Sequence, residues 1–294
     1  MFNSSSLSRR RALQALSVMA AAGSPLGLMA APPAPRLITV GGGITEVVYA
    51  LGAQDQLVGT DTTSLYPAAA QATPKVGYMR QLSAEGLLAL RPDALIAGTD
   101  AGPPVVIDQL RSAGVRVELV ASDHTWDEVR RKIAAVGRAS NREAAGRELQ
   151  ARLDARWQAV SARVQAAKGP GPKILFVLSH SGSPQVSGEK TAADALIRFI
   201  GARNALGGFQ GYRPMTAEAM AQAAPDLILT TTQGIEAIGG EAKFWQRPEL
   251  ALTPAFQRRA SAKTLVHLDA LELLGFGPRL PEVVERLHDQ VVKT

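Results

Sequence analysis

The chain has 294 residues, of which 46% are hydrophobic and 20% charged, with a formal net charge of +6. That is a globular balance, long enough for one large domain or two smaller ones. There is no cysteine, which excludes a disulfide framework, thiol chemistry and lipid attachment through a cysteine.

The chain opens with "SSSLSRRRALQALSVMAAAGSPLGLMAAPPAP". A basic start, an apolar stretch over Ala12–Ala22 and small residues around "LMAA" follow the order of a secretory signal. "SRRRALQ" fits an address of the twin-arginine type. Residues 1–31 are read as that signal; a basic, disordered start of a cytoplasmic protein is the alternative. They hold Arg9, Arg10 and Arg11 and no acid, so their removal leaves a net charge of +3. The basic balance is therefore poor evidence for a nucleic-acid partner, and none is expected. No later apolar run is long enough to span a bilayer. The expectation is a soluble exported protein.

After the signal, short apolar strands alternate with helical patterns. "RLITVG", "QLVGTD", "DALIAGT" and "VRVELV" precede residue 121; "KILFVLS", "DLILTTT" and "TLVHLDA" follow residue 172. Strands spaced by helix-length segments predict an α/β fold with mainly parallel sheets. Between the two sets, residues 141–168 hold no proline. Leu149, Leu153, Trp157, Val160 and Val164 there recur at helical spacing. Ser140 and Glu143 fit a capping box, and "KGPGPK" stops the helix. At about 1.5 Å per residue it is roughly 40 Å long, enough to join two lobes. The expected division is residues 36–139 for a first lobe, 140–168 for a bridging helix and 170–294 for a second lobe. A long helix inside one domain is the alternative.

An internal echo favours two lobes. "GYMRQLSAEGLLALRPDALIAGT" starts at Gly77, and "GYRPMTAEAMAQAAPDLILTT" starts at Gly211. Each runs from Gly-Tyr through a nearby arginine and Ser/Thr-Ala-Glu into an apolar helix, Pro-Asp and a strand. Ser83 and Thr216 suit N-caps, and Glu85 and Glu218 then sit in first turns, where a negative charge complements the helix dipole.

Enzyme signatures are weak. There is no phosphate-binding Gly-Lys-Ser/Thr loop and no dinucleotide fingerprint. There is no G-x-S-x-G elbow either. "SHSGS" groups Ser179, His180, Ser181 and Ser183 after a strand, but neighbours in sequence seldom form a triad. The 4 histidines, His124, His180, His267 and His288, lack ligand spacing. That counts against a free zinc or manganese carrier. His180 alone ends a strand where a cleft would lie. The loop "DTTSLYPAAA" carries Tyr66, held towards extended backbone by the proline after it.

Taken together, "RLITVGGGITEVVYALGAQDQLVGTDTTSLYP", "KVGYMRQLSAEGLLALRPD", "KILFVLSHSGSPQVSGEKTAADALI" and "NALGGFQGYRPMTAEAMAQAAPDLIL" resemble the substrate-binding proteins of ABC importers for metal chelates. The combination of "TSLYP", "GYMRQLSAEG", "KTAADALI" and "GYRPMTAEA" is similar to their haem-specific branch. The resemblance covers essentially the whole chain after the signal. It implies two Rossmann-like α/β lobes joined by one long helix, with haem carried as a transported ligand in the cleft between them. Location would be periplasmic and the function binding rather than catalysis. It implies Tyr66 as the ligand of the haem iron, an assignment that suits a hard phenolate on ferric iron. Arg213 is then the guanidinium that stabilises the anion, with Arg80 and Lys75 as propionate partners and His180 near the far face or a second haem. Glu85 and Glu218 would dock onto the permease of an inner-membrane permease and ATPase complex, and an outer-membrane haem receptor system is a further partner. Cobalamin or a ferric siderophore is the alternative ligand on the same fold. An exported hydrolase or haem-degrading enzyme is the remaining competitor.

Overall fold

The computed structural model describes residues 33–167, 169–179 and 184–292. The N-terminal segment read as a signal lies outside the described residues, as does His180. The first four strands are β1 (Leu37–Val40), β2 (Leu57–Thr60), β3 (Ala94–Gly98) and β4 (Arg116–Val120). They form an entirely parallel sheet in the order β2-β1-β3-β4. Helices α1 (Gly42–Ala50), α2 (Ala84–Ala89), α3 (Pro104–Ser112) and α4 (Trp126–Ala139) connect or follow these strands. Every residue of β1 and β3 is buried, which is why these central strands read as unbroken apolar runs.

Helix α5 (Glu143–Ala166) comes next. The second sheet is built from β5 (Lys173–Leu178), β6 (Gln185–Ser187), β7 (Arg203–Asn204), β8 (Tyr212–Pro214), β9 (Leu227–Thr231) and β10 (Leu265–Leu268). Its order is β10-β9-β5-β6-β8, with β7 paired to β5. The pairs β10–β9, β9–β5 and β5–β7 are parallel, and β5–β6 and β6–β8 are antiparallel. The sheet is therefore mixed. The sequence pattern missed β6, β7 and β8 because two or three residues are too few to show alternation. Helices α6 (Ala192–Phe199), α7 (Ala217–Ala223), α8 (Thr232–Ala237), α9 (Glu241–Trp245), α10 (Pro254–Arg258), α11 (Ala270–Leu274) and α12 (Leu280–Val292) complete this half.

The predicted apolar face of α5 is real. Leu149, Leu153 and Val160 are buried, and Trp157 and Val164 pack against the same core, which draws residues from both sheets. Trp157 stacks on Trp126 of α4 with centroids 4.9 Å apart and meets Phe199 of α6 edge-on at 4.9 Å. One ring on α5 thus touches aromatics of both lobes, in geometries worth about 1 kcal/mol each beyond area burial. The expected capping box is corrected. Ser140 closes α4 instead, its hydroxyl donating to the Val136 carbonyl at 2.6 Å. Asn141 turns the chain at φ 57°, and α5 starts at Glu143 with no side-chain cap. Two helices meet end to end there, and one serine serves the first.

The two echoed segments share local structure. Gly77 and Gly211 both have positive φ, 101° and 78°, a conformation that favours glycine. Ser83 accepts a hydrogen bond from the Gly86 amide and Thr216 from the Ala219 amide, so both N-caps are as expected.

Candidate functional site

In open α/β sheets, ligand-binding loops follow the carboxyl ends of the strands. Here the loop after β2 is the most heavily anchored. Asp61 is fully buried. Its Oδ1 accepts hydrogen bonds from the Gly41 amide (3.0 Å) and the Ser64 hydroxyl (2.7 Å). Its Oδ2 accepts from the Thr63 amide (3.1 Å) and hydroxyl (2.5 Å). Ser64 also bonds Thr45, which bonds Thr39. The polar run "DTTS" is therefore a rivet between this loop and the start of α1. Lys75 ties the far end. Its ammonium donates to Thr60 Oγ1 (2.8 Å), the Ser64 carbonyl (3.0 Å) and the Ala70 carbonyl (3.0 Å). All three of its N–H groups are used inside the protein, and burial lowers its pKa against the opposing pull of Asp61. The structure uses Lys75 to clasp both sides of the segment that carries Tyr66.

Two exposed phenols follow. Tyr66, 46% exposed, has its ring under a guanidinium 3.7 Å from the centroid. That guanidinium belongs to Arg279, not to Arg213. Arg213 stands over Phe209 at 4.4 Å. The reason is strand order: Arg213 lies on β8, at one edge of the second sheet, whereas Arg279 follows β10 at the other edge. Arg279 makes a two-pronged ion pair with Glu46 of α1 (2.8 and 2.9 Å) and donates to Glu272 of α11 at 3.1 Å. The Glu46 side chain is only 4% exposed. Burial raises its pKa, and the hydrogen bonds and charge of Arg279 offset this only in part.

Tyr78 is the second phenol, 40% exposed. Its oxygen accepts a hydrogen bond from Arg80 Nη1 at 2.6 Å. Arg80 in turn pairs with Asp100 after β3 (2.9 Å), and Asp100 accepts from Ser122 after β4 (3.0 Å). The charge on Arg80 also acts on Tyr212 of the second lobe, whose phenol burial nonetheless pushes up. Tyr78, Glu46 and Arg279 were not singled out from sequence. For Tyr78 no periodic signal existed, because Tyr78 to Gln81 form a turn closed by the Gln81 amide on the Tyr78 carbonyl at 2.8 Å, and it is this turn that brings Arg80 back to the phenol. For Arg279 none did, because it lies more than two hundred residues from Tyr66.

Glu85 and Glu218 are exposed in the first turns of α2 and α7. Among the described residues neither forms an ion pair. No cluster of three or more histidine or acidic side chains suited to a metal ion occurs among the described residues, and no described helix is long and apolar enough to cross a membrane.

Residues 37–260 match the family model described as periplasmic binding protein. The fold is similar to that of the periplasmic heme-binding protein BhuT, solved in complex with two hemes. The match has 46% identity and a TM-score of 0.83, over 89% of this chain and 99% of that one. It is similar also to the periplasmic heme-binding protein RhuT from Roseiflexus sp. RS-1, at 34% identity and a TM-score of 0.82, with coverage of 89% and 99%. A vitamin B12-binding protein of Vibrio cholerae is 31% identical over 153 residues, which is 52% of this chain and 54% of that protein. A parallel and a mixed sheet flanked by helices, loops anchored at the strand ends and a family match across both sheets lead to one conclusion: this chain belongs to the periplasmic binding protein family.

Proposed function

We propose that the protein captures ferric haem between its lobes in the periplasm and delivers it to an inner-membrane ABC importer. The observation that carries the reading is the guanidinium of Arg80 donating to the exposed Tyr78 oxygen at 2.6 Å. The permanent positive charge of the guanidinium beside this oxygen complements the anionic oxygen ligand that ferric iron takes in the bound state. Tyr66 is the second candidate for the iron. Its arginine covers the ring face and spends its N–H groups on Glu46 and Glu272. That contact favours the ring but puts no donor on its oxygen, so Tyr78 leads. Arg213 is exposed and, among the described residues, has no carboxylate partner, which suits a propionate. His180 is kept as a group for the far face.

Titration of the purified protein with hemin is expected to give saturable binding and a ferric tyrosinate spectrum. The second reading is a cobalamin carrier, favoured by the B12-binding relatives. Cobalamin is expected not to displace bound hemin; displacement would reverse the order of the two readings.

Glu85 and Glu218 are assigned to the importer. Unpaired carboxylates on the same structural unit of each lobe suit two arginines on a two-subunit pore. Such charges steer association more than they add affinity. Charge reversal at both is expected to slow binding to importer-containing membranes about tenfold at low salt. Hemin affinity should stay as in the unaltered protein, which a parallel titration checks.

A further inference from the structure

The contact between Tyr66 and Arg279 ends a longer chain of buried interactions that joins the lobes. The segment 275–279, between α11 and α12, is held by two helices of the first lobe. From α1, Glu46 grips Arg279 with both carboxylate oxygens. Gly43 of the same helix lies so close that a Cβ there would stand 2.2 Å from the Gly275 carbonyl oxygen, and a Cβ on Gly277 would stand 3.2 Å from the Glu46 carboxyl. From α4, the buried Lys132 donates to the carbonyls of Gly275 and Phe276, both at 3.0 Å, and is neutralised by buried Glu128 at 2.6 Å. Phe276 takes a left-handed φ of 46°, unusual for a bulky residue. Its ring packs on His124 of the first lobe and Phe199 of the second. A strained residue persists only where its surroundings over-determine it. Here the buried Lys132, the partly buried Arg279 and two aromatic contacts do so.

We infer that Glu46 and Lys132 are positioning residues that pin segment 275–279 to the first lobe, set the separation of the lobes and hold Arg279 on the Tyr66 ring. The spacing of the ligand-binding cleft would then be preset before any ligand arrives. Glu46 acts through Arg279 and need touch no ligand itself. A buried carboxylate facing a partly buried guanidinium is a poor way to gain stability alone, because desolvation offsets much of the attraction. It is a good way to fix one geometry, since any other leaves a buried charge unpaired.

The consequence for haem rests on the haem reading above, and the test separates the two. The chain has no cysteine, so Gln109→Cys on α3 and Gln257→Cys on α10, both exposed, accept a unique pair of spin labels, one per lobe. Unaltered Glu46 is expected to give one narrow interlobe distance distribution. Glu46→Gln is expected to add a second, wider population. Should Glu46→Gln fold poorly, Glu46→Gln combined with Arg279→Met removes both charges together and is expected to show the same widening. A folded variant with the original narrow distribution would overturn the inference. In the ligand arm, Glu46→Gln is expected to release hemin about tenfold faster with an unchanged iron spectrum, the scale on which supporting residues act on bound metals. Widened lobes with an unchanged release rate would overturn the positioning role towards the ligand. Failure of the unaltered protein to bind hemin would overturn the haem reading and leave the distance measurement to decide the pinning by itself.

Discussion

Replacing Tyr78 by phenylalanine is expected to remove the ferric tyrosinate spectrum and to raise the hemin dissociation constant roughly hundredfold, equivalent to about 3 kcal/mol. The substitution keeps the ring and deletes only the oxygen that Arg80 addresses at 2.6 Å. Tyr78 is 40% exposed, so the change is not expected to cost fold stability. Arg80→Gln tests the other half. The phenol remains but loses the charged donor that orients its oxygen, and affinity is expected to fall roughly tenfold, as for other outer-shell partners of a metal ligand. The tyrosinate bands should persist in weakened form. Tyr66→Phe is the decisive comparison. Its stack with Arg279 depends on the ring face, which phenylalanine retains. Loss of the spectrum in Tyr66→Phe, with its survival in Tyr78→Phe, would move the iron to Tyr66.

The second large effect concerns stability. Asp61→Ala is expected to destabilise the protein by roughly 3 kcal/mol or more, because two backbone amides and two hydroxyls lose a charged acceptor inside the protein. Those donors belong to Gly41, Thr63 and Ser64, and no water replaces a carboxylate at a fully buried position without rearrangement. Against a total stability of about 5–15 kcal/mol, the loss should be plain in urea unfolding as a lower midpoint with an unchanged slope. Asp61→Asn should fall between. It retains one acceptor but turns an NH2 towards groups that are themselves donors. The rivet lies where β1 passes into α1 and where β2 passes into the Tyr66 loop. Hemin affinity should therefore fall together with stability, unlike in Tyr78→Phe, where the two separate.

Much of this protein is legible in its residues. The seven longer strands were visible as apolar runs because buried parallel strands carry β-branched and aliphatic side chains on both faces. The core face of α5 was visible because helical spacing over twenty-four residues leaves little ambiguity. The caps at Ser83 and Thr216 were visible because a cap is a local hydrogen bond. The antiparallel extension of β6 and β8 was not, since such short strands exist only by pairing, β6 with β5 and β8 with β6. Ser140 was misread because the same hydroxyl suits the end of one helix and the start of another, and only the backbone path at Asn141 decides between them.

The candidate site divides in the same way. Sequence alone determined that Tyr66 sits on a loop after a first-lobe strand, and that each lobe offers a glutamate in the first turn of an equivalent helix. Which guanidinium meets which phenol was decided by tertiary structure. Arg213 and Arg279 are both second-lobe arginines beyond a turn, and no local pattern distinguishes them. Their places at opposite edges of the second sheet send one to Phe209 and the other to Tyr66. Lys75 has the composition of a ligand-binding cation, yet three carbonyl and hydroxyl oxygens within reach make it a clasp. The physical reason is common to both cases. A side chain's type states what it can bond, but its partner is set by the distances that folding creates between residues remote in the chain.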